Sequence, residues 1–260
     1  MRSNRLWVAV VFVISLLFAG SASAVSVCGK ADVPPWSYWK RDANGKKTKE
    51  LVGASVDTLK AVFARLGKAV EFRAEPSLAR CLRMVESGDI DFAMDAPYES
   101  EGTKKLAYTM RYTTLTPQIF FRTDKPVNVR VIADLKNAKG CGLAGANYSN
   151  YGLKTKDLES ATSLDELFRK VKEGECDYFV EELEVIAGYR ILGTDFLSDA
   201  DILSGPVPGV RPPTKHLVAA KNGSAAKLIP RLNVAIKEVV TSGQAEAYWK
   251  RYEDKLPFTP

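Results

Sequence analysis

Few side chains in this sequence can do covalent or metal chemistry, but several can hold a small polar molecule. His216 is the single histidine, and the four cysteines (Cys28, Cys81, Cys141 and Cys176) contain no C-x-x-C spacing. A zinc centre or a Cys/His nucleophilic pair is not expected from such a set, and no cofactor is called for. The binding candidates are polar residues at points where short apolar runs stop. Lys30 follows the β-rich run 25–28, placed to meet an anion. Trp36 follows Pro34-Pro35 in a loop, able to stack on a ligand or to cover the core. Asp95 and Tyr98 follow the run 90–94, where cleft-facing polar groups belong; the plain alternatives are a cap and a packing contact. Asn147, Tyr148 and Ser149 lie where a loop turns into a helix, so their hydroxyl and backbone N–H groups form either an anion cradle or an ordinary cap. The same three residues spell a glycosylation sequon, read here as chance.

The elements that must position these residues repeat. Residues 25–28 read as a strand. Val56, Leu59, Val62, Phe63 and Leu66 have helical spacing closed by Gly67. A short strand at 70–72, a helix at 79–86 ended by Gly88 and a strand at 90–94 complete a β-α-β-α-β unit. The second half has the same order. A strand at 141–144 leads to a short helix at 148–153 and a weak strand at 158–161. A helix then starts from Ser163, with Glu166 three residues on as a capping box, and a strand at 177–180 follows. "MVESGDIDFAMDA" and "VKEGECDYFVEEL" match in detail: helix end, glycine, acidic residue, strand, acidic residue. Two α/β lobes of similar wiring are therefore expected. Extended runs at 117–121 and 210–217 would be two hinge crossings, giving lobe 1 as 25–116 plus the helices of 218–260, and lobe 2 as 122–209.

Residues 1–24 are set apart from the fold. Arg2 and Arg5, an apolar run at 6–20 and Ala22-Ser23-Ala24 follow the order of a cleaved secretory signal. That predicts an exported chain in the periplasm, where cysteines pair. Four cysteines allow three connectivities. Cys141 and Cys176 each begin a strand of the second lobe, in strands expected to be neighbours. Cys28 ends the first strand, and Cys81 starts a helix at the same sheet edge. The pairs Cys28–Cys81 and Cys141–Cys176 follow, with buried free thiols as the alternative. Without Arg2 and Arg5 the formal charge falls from +6 to +4, spread along the chain with no aromatic-studded basic stripe. Nucleic acid is not an expected partner.

Taken in order, "PPWSY", the Asp-Ala-Asn-Gly turn, "LVGASVDTLKAVFARLG", "ARCLRMVESGDIDFAM", "KKLAYT", "DLKNAKGCGLAG", "SLDELFRKVKEGECDYFVEE" and "LNVAIKEVVTSGQAEAYWKRYE" resemble the family 3 extracellular solute-binding proteins across nearly all of 25–253. The resemblance implies the type II periplasmic binding protein fold, with two Rossmann-like lobes and a two-strand hinge closing on a ligand. It implies a small polar, amino-acid-like or amine-bearing ligand, an ABC importer permease as partner, and a monomer without enzymatic activity. By the same resemblance Glu182, with Glu181 beside it, matches the acidic residue that holds a ligand ammonium, a Glu where Asp is usual. Two positions depart from the family. The arginine that clamps a ligand carboxylate falls on Gly102, with Lys104, Lys105 and Arg111 as nearby substitutes, and the stacking aromatic falls on Val33. The alternatives are a stand-alone sensor or accessory protein, and a cyclohexadienyl dehydratase-like enzyme using Asp95, Glu181 or Glu182 as an acid.

Overall fold

The structure is a computed structural model describing residues 24–260. The expected signal segment, apart from Ala24, lies outside the described residues. In chain order, strand β1 (Val25–Lys30) leads to a hairpin of β2 (Tyr38–Arg41) and β3 (Lys47–Val52). Helix α1 (Ala54–Arg65), β4 (Val70–Glu75), α2 (Leu78–Ser87) and β5 (Phe92–Pro97) follow. Next come β6 (Leu106–Tyr108), β7 (Thr113–Thr114), β8 (Pro117–Arg122), β9 (Gly140–Leu143), β10 (Glu159–Ala161), α3 (Leu164–Lys172) and β11 (Tyr178–Glu182). Helix α4 (Leu183–Gly188), β12 (Ile202–Pro206), β13 (Thr214–Ala220), α5 (Ile229–Thr241) and α6 (Gln244–Trp249) complete the chain.

The strands form two larger sheets. The first has the order β4-β1-β5-β13-β6, with β7 also beside β13; the second has the order β10-β9-β11-β8-β12. In the first, β1 runs parallel to β4 and β5, and β13 runs antiparallel to β5 and β6. Alternate residues face opposite sides of a strand. Val27, Phe92, Met94 and Leu217 therefore pack on Leu59, Phe63 and Ile236 of the α1–α5 layer, while Cys28, Ala93 and Val218 pack on Cys81 and Val85 of α2. A helical layer on each face is why these strands are apolar on both sides. In the second sheet Phe120 and Phe179 stack at 4.8 Å, and beside it Phe168 of α3 stacks on Phe196 at 4.5 Å.

The helix ends follow their residues. Ser77 Oγ accepts the Arg80 N–H at 3.3 Å, and Gly88 closes α2 at φ 82°. Ser163 Oγ accepts from the Glu166 N–H at 3.2 Å, as a capping box requires, but the Glu166 carboxylate reaches one residue further back and accepts from the Thr162 N–H at 2.7 Å. Gly53, before α1, allows a close approach: a Cβ there would lie 2.2 Å from the Trp36 carbonyl oxygen.

The hairpin strands β2 and β3 and helix α4 were not visible as elements in sequence, although the turn between the two strands was. Asp42–Gly45 is the tip of the β2–β3 hairpin, where Asp42 Oδ1 accepts from the N–H groups of Asn44 and Lys46 at 2.9 Å. Helix α4 follows β11 without a gap. The run 117–121 forms most of β8, which is paired on both sides by β11 and β12. Within 210–217, residues 214–217 already belong to β13, an inner strand of the first sheet. The chain itself passes between the sheets at residues 115–116 and 207–213. Bonded cysteine pairs join Cys28 to Cys81 and Cys141 to Cys176, each within one sheet unit.

Candidate functional site

Glu181 and Glu182 end β11, at the edge of the second sheet facing the first lobe. Tyr151, buried beneath them, donates its hydroxyl proton to Glu182 Oε1 at 3.0 Å. Glu181 Oε1 accepts from the Glu182 N–H at 3.1 Å. Burial, followed by the adjacent Glu182 charge, raises the Glu181 carboxyl well above its ordinary 4.5, and the Lys30 ammonium opposes that rise. Lys30 belongs to β1, so this interaction reaches across the gap between the lobes. Burial and the same two carboxylates raise the hydroxyls of Tyr148 and Tyr151. Tyr148 lies flat on Gly142, where a Cβ would come within 2.8 Å of its ring, and its hydroxyl oxygen accepts from the Leu143 N–H at 2.7 Å. Two acidic groups over a tyrosine floor attract a cation or a dense set of donors.

The opposing edge of lobe 1 carries two non-glycine residues at positive φ, Asp32 at 63° and Asp95 at 60°. Such backbone persists only when its surroundings hold it. At Asp95 the hold is a closed ring: its N–H donates to the Tyr112 hydroxyl oxygen at 2.8 Å, that hydroxyl donates to Asp95 Oδ1 at 2.7 Å, and Ser55 Oγ donates to the same oxygen at 2.6 Å. Asp32 Oδ2 accepts from Lys47 Nζ at 2.9 Å. Tyr189 on the second lobe feels the charges of Asp32 and Glu181, its hydroxyl being raised by burial first.

The lobes touch around this gap. Gly188 of α4 abuts the Pro34-Pro35 turn so closely that a Cβ would lie 2.3 Å from the Pro34 oxygen. Arg190 pairs with the buried Glu253 of the C-terminal segment. Asn147 Nδ2 donates to Glu99 Oε1 across the gap at 3.5 Å, and Asn150 Nδ2 ties the second lobe to the crossing segment through the Arg211 carbonyl at 3.2 Å.

Of the sequence candidates, Lys30, Tyr148, Glu181 and Glu182 come together, and Asp95 lies opposite them. Asn147 bridges the lobes, and Ser149 is exposed, its N–H bonded to Asn147 Oδ1 at 3.0 Å. Tyr98 is 49% exposed and packs edge-on against Tyr108 at 5.3 Å. Trp36 is 2% exposed and packs on Trp249 at 4.7 Å, with its Nε1–H unpartnered; it is a core side chain rather than an open stacking platform. At Gly102 the space for a side chain is filled, because a Cβ would lie 2.3 Å from the Tyr108 hydroxyl. Lys104 pairs with Glu101, Lys105 pairs with Glu86, and Arg111 Nε donates to the Pro260 carbonyl, so the neighbouring cations are engaged elsewhere. Sequence reasoning missed Tyr151, Asp32, Tyr189 and Gly188. A tyrosine three residues after Tyr148 and an aspartate before Val33-Pro34-Pro35 were the available signals.

Residues 25–255 match the sequence profile of the bacterial extracellular solute-binding proteins, family 3. The chain belongs to that family. No curated protein matches this solute-binding protein by sequence. Among solved structures it resembles an amino acid ABC transporter substrate-binding protein from Streptococcus pneumoniae bound to L-arginine, at 19% identity and TM-score 0.68, over 88% of this chain and 94% of that one. It also resembles an arginine-, lysine- and histidine-binding protein from Geobacillus stearothermophilus, at 20% identity and TM-score 0.66, over 90% and 96%. A histidine kinase sensor domain similar to periplasmic binding proteins aligns at 21% identity and TM-score 0.68, over 92% and 98%. The two-lobed α/β fold of this solute-binding protein is thus that of the type II periplasmic binding proteins.

Proposed function

We propose that this protein captures a small amine-bearing, amino-acid-like solute between its lobes in the periplasm and presents it, as a monomer, to the permease of an ABC importer. The Glu181–Glu182 pair carries the reading. Two carboxylates crowded at a strand end, one of them raised by burial and then by its neighbour's charge, are stabilised by an incoming ammonium. Tyr151 fixes Glu182 for that contact, and Lys30 and Asp95 close the site from lobe 1. Asn147, Tyr148, Ser149 and Tyr98 line its approach. The crossings at 115–116 and 207–213 serve as the hinge, with residues 25–114 and 214–260 on one side and 117–206 on the other, and residues 1–24 act as a cleaved export signal. Solutes gripped from two sides are enclosed by hinge closure.

The test is a thermal-shift screen of the purified mature protein against amino acids, polyamines, organic acids and sugars, followed by calorimetry. Amine-bearing solutes should raise the melting temperature in a dose-dependent way and bind one per chain without turnover. Stabilisation by amine-free acids alone would overturn the reading. Product absorbance from prephenate or arogenate would replace it with dehydratase chemistry.

A further inference from the structure

Resting on that reading, the structure points to a second, opposite-charge anchor in the same site. We propose that Lys215 of β13 holds a carboxylate of the solute, in place of the absent arginine, which makes the solute a zwitterion rather than a simple amine. Lys215 is only 8% exposed. Its Nζ lies 5.0 Å from the centre of the Trp36 ring. Among the described residues, it has no carboxylate oxygen within 4.0 Å and no hydrogen-bond acceptor, whereas Lys170, the one other lysine or arginine this deeply buried, has glutamate partners. Trp36 Nε1 is the one unpartnered side-chain polar atom sealed from solvent among the described residues, so the Lys215 ammonium, on a stem that is mostly covered, still reaches water and is open to an incoming anion. Carboxylate oxygens on both sides of the crossing segment, of Asp95 on lobe 1 and Glu184 on lobe 2, are already engaged. Asp95 Oδ1 is taken by Ser55 and Tyr112, and both oxygens of Glu184 are taken by Thr116.

The topology places this lysine toward the Glu181–Glu182 pair. Lys215 pairs in register with Pro97, two residues beyond Asp95, and with Thr113 of β7. Glu182 pairs with Pro117 at the start of β8. Thr113 and Pro117 are the two ends of one crossing segment. At about 3.3 Å per extended residue those ends are no more than roughly 13 Å apart, and each charged residue sits one strand spacing of about 5 Å from its end, so the two backbones are at most roughly 23 Å apart. A lysine and a glutamate reaching toward each other from those positions leave room for a compact molecule with an amine at one end and an acid at the other. Trp36 supports the lysine stem and face, which gives the buried tryptophan a positioning role at the site's edge.

The experiment compares matched pairs in calorimetry: arginine with agmatine, lysine with cadaverine and histidine with histamine, using the wild-type mature chain, Lys215→Met, Lys215→Arg and Glu182→Gln. Methionine keeps the stem on Trp36 and removes the charge. The wild type should prefer the acid-bearing member of at least one pair by about tenfold or more. Lys215→Met should erase that preference while leaving the amine's affinity within about twofold, and Lys215→Arg should retain most of it. Circular dichroism and the melting temperature establish that each variant folds. Equal binding of acid and amine by the wild type, or a preference that survives in folded Lys215→Met, overturns the Lys215 assignment and leaves the Glu181–Glu182 reading in place. Binding of amine-free acids that Lys215→Met abolishes and Glu182→Gln does not supports Lys215 and overturns the amine reading. Binding of neither set overturns both.

Discussion

Glu181 and Glu182 differ in what surrounds them rather than in type. Tyr151 satisfies Glu182, whereas Glu181 has burial and a like charge working against its ionised form. A carboxyl raised in the folded state holds its proton above the unfolded value, so the folded chain binds more protons than the unfolded one between 4.5 and the raised value. Stability of the ligand-free protein therefore falls as pH rises through that window. A bound ammonium reverses the preference and expels the proton. Calorimetry in buffers of different ionisation enthalpy should register proton release on binding, and affinity should strengthen with rising pH across the window. Glu181→Gln should abolish the release. Glu182→Gln should cost about 2 kcal/mol or more of binding, read as a right-shifted titration of whichever amine the screen selects. Tyr151→Phe should cost less, since it leaves the charge and removes only its orienting bond.

At the scale of elements, much of the architecture was legible because helix spacing and glycine stops are local signals. Val56, Leu59, Val62 and Phe63 define α1, and Gly88 stops α2, whose Ser77 cap became evident only in the structure. Strand identity in a chain of extended runs is not local. Pro117–Arg122 looks like a crossing until its neighbours are known; pairing by β11 and β12 makes it interior. The site was half visible for a similar reason. Polar residues at strand ends can be picked out by pattern, as Lys30 and Asp95 were, and Glu181 and Glu182 came from the family resemblance. Tyr151 and Gly188 matter through contacts with distant chain, and the burial of Trp36 depends on Trp249, more than 200 positions away. The disulfides belong to this scale too. Cys28–Cys81 joins positions 53 apart and Cys141–Cys176 positions 35 apart, each tying a strand to its own lobe. Reduction should lower stability by about 2–4 kcal/mol for each bond, seen as a lower melting temperature in dithiothreitol. Solute affinity of the still-folded reduced protein should hold, because neither bond spans the gap.

At the scale of the whole molecule, the lobes meet through a few contacts that any motion must break. One is Gly188 against the Pro34-Pro35 turn, where the opposing atoms are backbone and proline ring and cannot swing aside. Gly188→Ala should hold the halves apart at a steric cost of about 1–3 kcal/mol to the closed form. Small-angle scattering should then give a larger radius of gyration with solute present, and calorimetry a weaker affinity. An unchanged radius and affinity would mean that this contact does not gate closure. Arg190 and Glu253 should act in the same direction, with Glu253→Gln loosening the closed form by leaving Arg190 partly buried without its partner charge.

The place of β13 has a consequence for how the protein is made. The first sheet is built from strands near the start of the chain, yet its inner member, lying between β5 and β6, is the last strand in the sequence. A polypeptide emerging amino end first, from ribosome or translocation channel, delivers every strand of the second sheet before it can complete the first. The later-encoded half therefore finishes folding earlier, and the opening third of the chain waits with an unfilled slot until residue 220 has appeared.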